Sequence, residues 1–155
     1  MVALVQLTEP EFEKWRESAV REYAAELVRA GNDDEAHSIE NAEGQLRSLL
    51  PYGPMTNGHY IYSVVDERDG KPVGIIWYGE APPRNDTIFI YDIHIDELFR
   101  GQGYGTAVLR LVEEKARGLG KERIGLQVFG HNERAQKLYR ELGYRPINII
   151  MAKEL

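Results

Sequence analysis

Arg100-Gly101-Gln102-Gly103-Tyr104-Gly105 stands between two apolar stretches of different period. Before it, Thr87 to Asp96 alternates as a strand does, with Phe89, Tyr91, Ile93 and Ile95 on one face. The other face begins with Ile88 and Ile90 and turns polar at Asp92, His94 and Asp96. After the glycines, the spacing predicts a helix from about Thr106 to Arg117. A turn that ends a strand and opens a helix gathers unpaired N–H groups at the positive end of a helix dipole. Phosphate fits there, because glycine keeps side chains away from the amides and accepts positive φ. Two common phosphate loops fail on these residues. The dinucleotide fingerprint needs a third glycine, where the two frames have Thr106 or Val108, and no Gly-Lys-Ser/Thr run supplies a nucleotide-hydrolysing loop.

Downstream, Arg123 to Phe129 reads as a strand. Asn132 is placed to cap a helix running to Leu142, which Gly143 ends, and Tyr144 to Met151 is expected to close the sheet as a last strand. Upstream, Tyr60 to Asp66 and Val73 to Tyr78 flank a turn at Asp69-Gly70 and predict a hairpin. Val2 to Leu7 reads as a strand, and Thr8 with Glu11 forms a capping box for a helix carrying Phe12, Trp15, Ala19, Tyr23 and Leu27. Asp33 is placed to cap a second helix, with Asp33-Asp34-Glu35 as its acidic start and Ile39, Ala42, Leu46, Leu49 and Leu50 as its buried stripe, until Pro51 breaks it. An antiparallel series feeding one strand-helix-strand unit predicts an α/β (α+β) fold: a mixed, mostly antiparallel sheet with helices on both faces.

Arg100, Gly103 and Gly105 match the pyrophosphate loop of the GNAT superfamily of acyl-CoA N-acyltransferases: Arg or Gln, two residues, Gly, one residue, Gly or Ala. One helix and one strand later, Asn132, Ala135, Tyr139, Gly143 and Tyr144 fill a second segment that resembles the family's Asn, Ala, Tyr, Gly and aromatic positions at the same spacing. Together the two motifs cover the chain from about Thr87 onward. The resemblance implies acetyl-CoA as acyl donor, with amides from Gln102 through Tyr104 and Gly105 to Thr106 on its pyrophosphate, beside Arg100 and Gly101. It implies that Ile93, His94 and Ile95 pair with the pantetheine arm as a substitute strand, and that Asn132, Ala135 and Tyr139 border the donor. Taken without the family, Asn132 is an ordinary N-cap, and Ala135, Leu138, Tyr139 and Leu142 an ordinary apolar stripe.

Moving an acetyl group from a thioester to an amine needs an aligned carbonyl, a stabilised oxyanion, a neutral amine and a proton for the departing thiolate. Backbone amides of Ile93 to Ile95 suit the oxyanion, and Tyr139 is the candidate proton donor. Asp92 or His94, directly or through water, and Glu80 at the end of the neighbouring strand are candidate bases. The expected activity is direct transfer in a ternary complex to a small-molecule or peptide amine, the alternative being a CoA-binding sensor without turnover. No His-Glu-x-x-His run or other metal-ligand spacing is present, and no metal is expected.

Composition bounds these readings. The 155 residues, 43% apolar, suit one domain spanning 1–155 with its own core. No cysteine is present, which excludes disulfides and thiol nucleophiles. A net charge of −6 argues against nucleic-acid partners. Met1 to Leu7 is short, lacks a basic start and runs into Glu9, Glu11 and Glu13, unlike a signal peptide or membrane span. The expectation is a cytoplasmic protein without membrane contact, whose closing strand and exposed aromatics would permit a homodimer.

Overall fold

In a computed structural model describing residues 1–155, the chain runs β1 (Val2–Gln6), α1 (Glu9–Arg29), α2 (Ser38–Leu49), β2 (His59–Asp66), β3 (Pro72–Ala81), β4 (Arg84–Ile95), α3 (Tyr104–Gly118), β5 (Arg123–Leu126) and α4 (Glu133–Glu141). The strands form one sheet in sequence order. Three neighbouring pairs are antiparallel, and only β4 and β5, joined through α3, are parallel. This is the mixed, mostly antiparallel sheet expected from the sequence.

Helices cover both faces because each presents one apolar stripe. Tyr104, Val108, Leu109, Val112 and Ala116 of α3 pack with Val64, Val73, Ile76, Tyr78, Ile88 and Ile90. On the opposite face, Phe12 and Trp15 of α1 pack with Leu50, Ile61 and Trp77. The predicted capping box forms at Thr8: its hydroxyl accepts from the Glu11 N–H, and the Glu11 carboxylate accepts from the Thr8 N–H at 2.7 Å. That fixes where α1 begins.

Four local expectations are corrected. Helix α2 begins at Ser38 rather than after Asp33. The Asp34 carboxylate accepts from the His37 N–H at 2.9 Å, so the acidic run forms a turn before the helix instead of its first turn. Ile39 of the predicted stripe is exposed. Strand β5 ends at Leu126, three residues short of Phe129. Between β3 and β4 the connection is only Pro82 and Pro83, since the strands run to Ala81 and from Arg84. Tyr144 to Met151 forms no strand: Ile147, Ile149, Ile150 and Met151 are 67%, 73%, 89% and 88% exposed. Apolar side chains need a second surface to bury against, and Pro146 removes a backbone donor, so this tail has no sheet of its own chain to complete.

Strict alternation along β4 breaks next to the site. Trp77 of β3 lies opposite Asp92, but Tyr78 lies opposite Ile90, so Tyr91 is an extra residue, a bulge in β4. A one-residue insertion reverses the alternation beyond it. Ile93 and Ile95 therefore pack with Ile88 and Ile90 on the α3 face. Asp92 and His94 fall instead on the α1 face, with Tyr91, rather than on the side of Ile88 and Ile90.

Candidate active site

Pairing of β4 with β5 covers only Thr87 to Ile90 against Arg123 to Leu126. Beyond it the two segments part, and a cavity of about 1090 Å³ opens between Tyr91–Ile95 on one side and Leu126–Phe129 on the other. Its far walls are α1, α2, the glycine loop and α4. The bulge stands at the residue where pairing stops, so one local feature both frees the β4 edge and turns Asp92 towards α1.

At one end of the cavity lies the glycine loop. Gly101 and Gly103 have φ of +75° and +86°, a conformation other residues enter at a cost, and Gly103 is the residue from which α3 starts, without a side-chain cap. Ala107 donates to the Gly103 carbonyl at 3.0 Å, but the N–H groups of Gln102 to Thr106 have no backbone acceptor. Gly105 serves close approach, since a Cβ there would sit 3.3 Å from the Leu138 side chain of α4. The loop is held from behind. Arg100 Nε donates to the Ile95 carbonyl at 2.9 Å, and Tyr104 donates to Asp66, which also pairs with Arg68 at 2.6 Å. Arg68 first, then the Tyr104 hydroxyl, hold the Asp66 carboxyl well below the usual carboxylate range. Five free amides at a helix start, with Arg134 of α4 also lining the cavity, make a cradle suited to an anion.

At the junction of the two walls stand Asp92 and Tyr139, both lining the cavity. Trp15 of α1 donates its indole N–H to Asp92 at 3.0 Å. Burial pushes the Asp92 carboxyl up, opposed by that hydrogen bond and by His94. Burial also raises the Tyr139 phenol, and the nearby Asp92 charge adds to this, so Tyr139 remains a neutral donor at ordinary pH. Its ring is steadied by Tyr144, 5.7 Å away between centroids. Burial pushes the Tyr144 phenol up to about 12, and its buried hydroxyl has no hydrogen-bond partner in the chain.

His94 lies between two carboxylates, with Nδ1 3.8 Å from Glu22 and Nε2 3.6 Å from Asp96. Asn132 caps α4, accepting from the Ala135 N–H at 3.1 Å, and both residues line the cavity. Of the sequence-derived candidates, Ile93, His94, Ile95, Arg100, Gly101, Gly103, Tyr104, Gly105, Thr106, Asn132, Ala135, Asp92 and Tyr139 meet at this one cavity. Glu80 does not. Its carboxylate faces Lys121 at 3.4 Å and the Gly58 turn, outside the cavity wall. The Gln102 side chain turns back to the Leu98 carbonyl, leaving only its backbone for a ligand.

Several lining residues carried no signal of their role in the sequence. Trp15 reads as core and is core, but the same side chain also positions Asp92. Glu22 and Glu26 read as solvent-facing helix residues, and only the packing of α1 over the cavity sets them on its rim. Nowhere do three His, Asp or Glu side chains converge in a metal-holding arrangement.

The amide-lined loop, the free strand edge, Asp92 and Tyr139 line one cavity, and comparison with known proteins shows the family to which the chain belongs. The family model described as "Acetyltransferase (GNAT) family" matches residues 3–144, and the chain belongs to that family. It is an acyltransferase of the N-acetyltransferase type. The uncharacterized N-acetyltransferase YdgE of Bacillus subtilis is 35% identical, with 98% of this chain and 97% of that protein covered. YycN of the same organism, also an uncharacterized N-acetyltransferase, is 31% identical, with 99% of each covered. The crystal structure of YycN superposes with a TM-score of 0.93 at 29% identity, over 100% of this chain and 99% of that one.

Proposed function

We propose that the chain acetylates a primary amine by direct transfer from acetyl-CoA in a ternary complex. The observation that carries this reading is the meeting of the amide-lined loop, the unpaired β4 edge, Asp92 and Tyr139 in one cavity. The loop amides of Gln102 to Thr106, with Arg134, take the donor's diphosphate. The freed edge at Ile93 to Ile95 takes the pantetheine arm by strand-like pairing, and an amide of that edge polarises the thioester carbonyl. Asp92, held by Trp15, takes a proton from the incoming ammonium directly or through one water, with His94 as the second candidate base. The amine nitrogen then bonds to the carbonyl carbon, the carbon–sulfur bond breaks, and Tyr139 gives its proton to the thiolate. Asp92 passes the first proton on to solvent, and the second proton, lost from the nitrogen as the amide forms, returns through water to the Tyr139 phenolate, so that the ammonium and acetyl-CoA give the N-acetyl amine, the CoA thiol and one released proton.

The same proposal takes residues 1–155 as one domain acting in the cytoplasm; no helix is long and apolar enough to cross a membrane. It also includes a homodimer, favoured by the uncovered Ile147, Ile149, Ile150 and Met151. The test is thiol release from acetyl-CoA across a panel of amines, with product mass read in parallel. Amine-dependent release with a one-acetyl mass gain is expected. Binding of acetyl-CoA without release on any small amine or peptide would replace the enzyme reading by a sensor.

A further inference from the structure

The charges around the cavity are unevenly placed. Its two cationic side chains, Arg100 and Arg134, belong to the glycine loop and α4, at the donor end. The other arm, between α1, α2 and the α1 face of β4, is lined by Glu22, Glu26 and Asp92 and by no Lys or Arg. Glu22 and Glu26 are one turn apart, so both project from the same side of α1. Their side chains are 60% and 36% exposed, and each has only a histidine for a partner, His94 and His131. Between these carboxylates and Asp92 the wall is aromatic and apolar: Trp15, Ala19, Tyr23, Trp77 and Tyr91.

One carboxylate is enough to receive the reacting ammonium, and Asp92 is the enclosed one beside Tyr139. Glu22 and Glu26 are therefore surplus to the chemistry. They line the arm of the cavity away from the glycine loop. His94 sits two strand residues from Asp92, about 7 Å, and its ring is 3.8 Å from Glu22. A charge held at Glu22 is thus a short carbon chain away from an amine at Asp92, and Glu26 lies one turn further along α1.

Resting on the proposed transferase reading, we infer that the acceptor is a dicationic or polycationic amine: a reacting primary amine, a stem of several carbons against the aromatic wall, and a second ammonium at Glu22 and Glu26. Aromatic faces favour such a stem and its charged ends alike. A distal carboxylate, as in a linear ω-amino acid, would meet two carboxylates and no cation.

The test uses three probes of equal length with acetyl-CoA: 1,5-diaminopentane, pentylamine and 5-aminopentanoate. The predicted order of kcat/KM is diamine, then monoamine, then amino acid. Partly exposed ion contacts are worth up to about fivefold each, so the diamine-to-monoamine ratio, taken per reactive amine, should be about tenfold and should collapse towards one in Glu22→Gln/Glu26→Gln. Acetyl-CoA affinity should stay within about twofold. Equal rates for diamine and monoamine, or a ratio unmoved in the double variant, would overturn the inference while leaving the transferase reading intact. If none of the three is acetylated, thermal stabilisation in the presence of CoA decides. A diamine-specific shift lost in the double variant upholds the acceptor class and counts against turnover. No diamine-specific shift overturns the class. Absence of stabilisation by acetyl-CoA itself is the separate result that overturns the donor site.

Discussion

At the scale of single residues, burial prepares two groups for opposite tasks. Tyr139, kept neutral by burial, can donate; Asp92, raised by burial, can accept nearer neutrality than an exposed carboxylate. Tyr139→Phe should lower kcat by about 10²-fold, the low end for general acid catalysis, with acetyl-CoA affinity nearly unchanged; equal turnover would remove it from the reaction. Asp92→Asn should lower kcat/KM by a similar ~10²-fold and abolish the acidic limb of the pH profile, whereas His94→Gln should keep that limb. The stability effect has the opposite sign. A carboxyl whose pKa is raised on folding binds more protons in the native state, so stability falls as pH rises from the ordinary carboxylate value through the raised one. Asp92→Asn should therefore be at least as stable as wild type at pH 8, with the advantage gone below pH ~4, as thermal melts at the two pH values will read.

At the scale of elements, the strand-to-helix turn was legible from its residues, because glycine and helix-start chemistry are local. The direction of Asp92 was not. Strict alternation places it with Ile88 and Ile90, and nothing in the residues 88–95 announces that Tyr91 is inserted as a bulge. That insertion depends on β3 continuing regularly through Trp77 and Tyr78, which is a property of the pair of strands. The tail shows the same limit from the other side: a strand-like apolar pattern at Tyr144 to Met151 specifies a strand only where a partner edge exists. At the loop, Gly103 is a poor site for a charge test because its φ of +86° would strain any replacement. Thr106→Glu avoids that: it adds a negative charge in the first turn of α3 at a residue lining the cavity. KM for acetyl-CoA should rise by about tenfold or more with little change in melting temperature, and an unchanged KM would detach the diphosphate from this loop.

At the scale of the whole molecule, two cores on opposite faces of one sheet keep the walls of the cleft at a fixed separation. Leu109 is fully buried between α3 and the sheet, and Leu109→Ala should cost about 2–5 kcal/mol in denaturant melts while leaving residual activity at low temperature. Sequence patterns were sufficient for the order of the five strands and four helices, since hydrophobic period and caps carry them, but they also gave a closing strand that the chain does not form. The convergence of α1 with β4 was not legible, because it joins residues as distant as Trp15 and Asp92. The uncovered tail leads to a further expectation: light scattering should give the mass of a dimer, and deleting residues 146–155 should return the monomer.

Everything depends on the amides of the glycine loop holding a CoA diphosphate. Calorimetric titration of the wild-type chain with acetyl-CoA, CoA, NAD and ATP tests that directly. Saturable one-to-one binding of acetyl-CoA and CoA is expected, with NAD and ATP much weaker. No binding of either CoA species, or equal binding of all four, would contradict it.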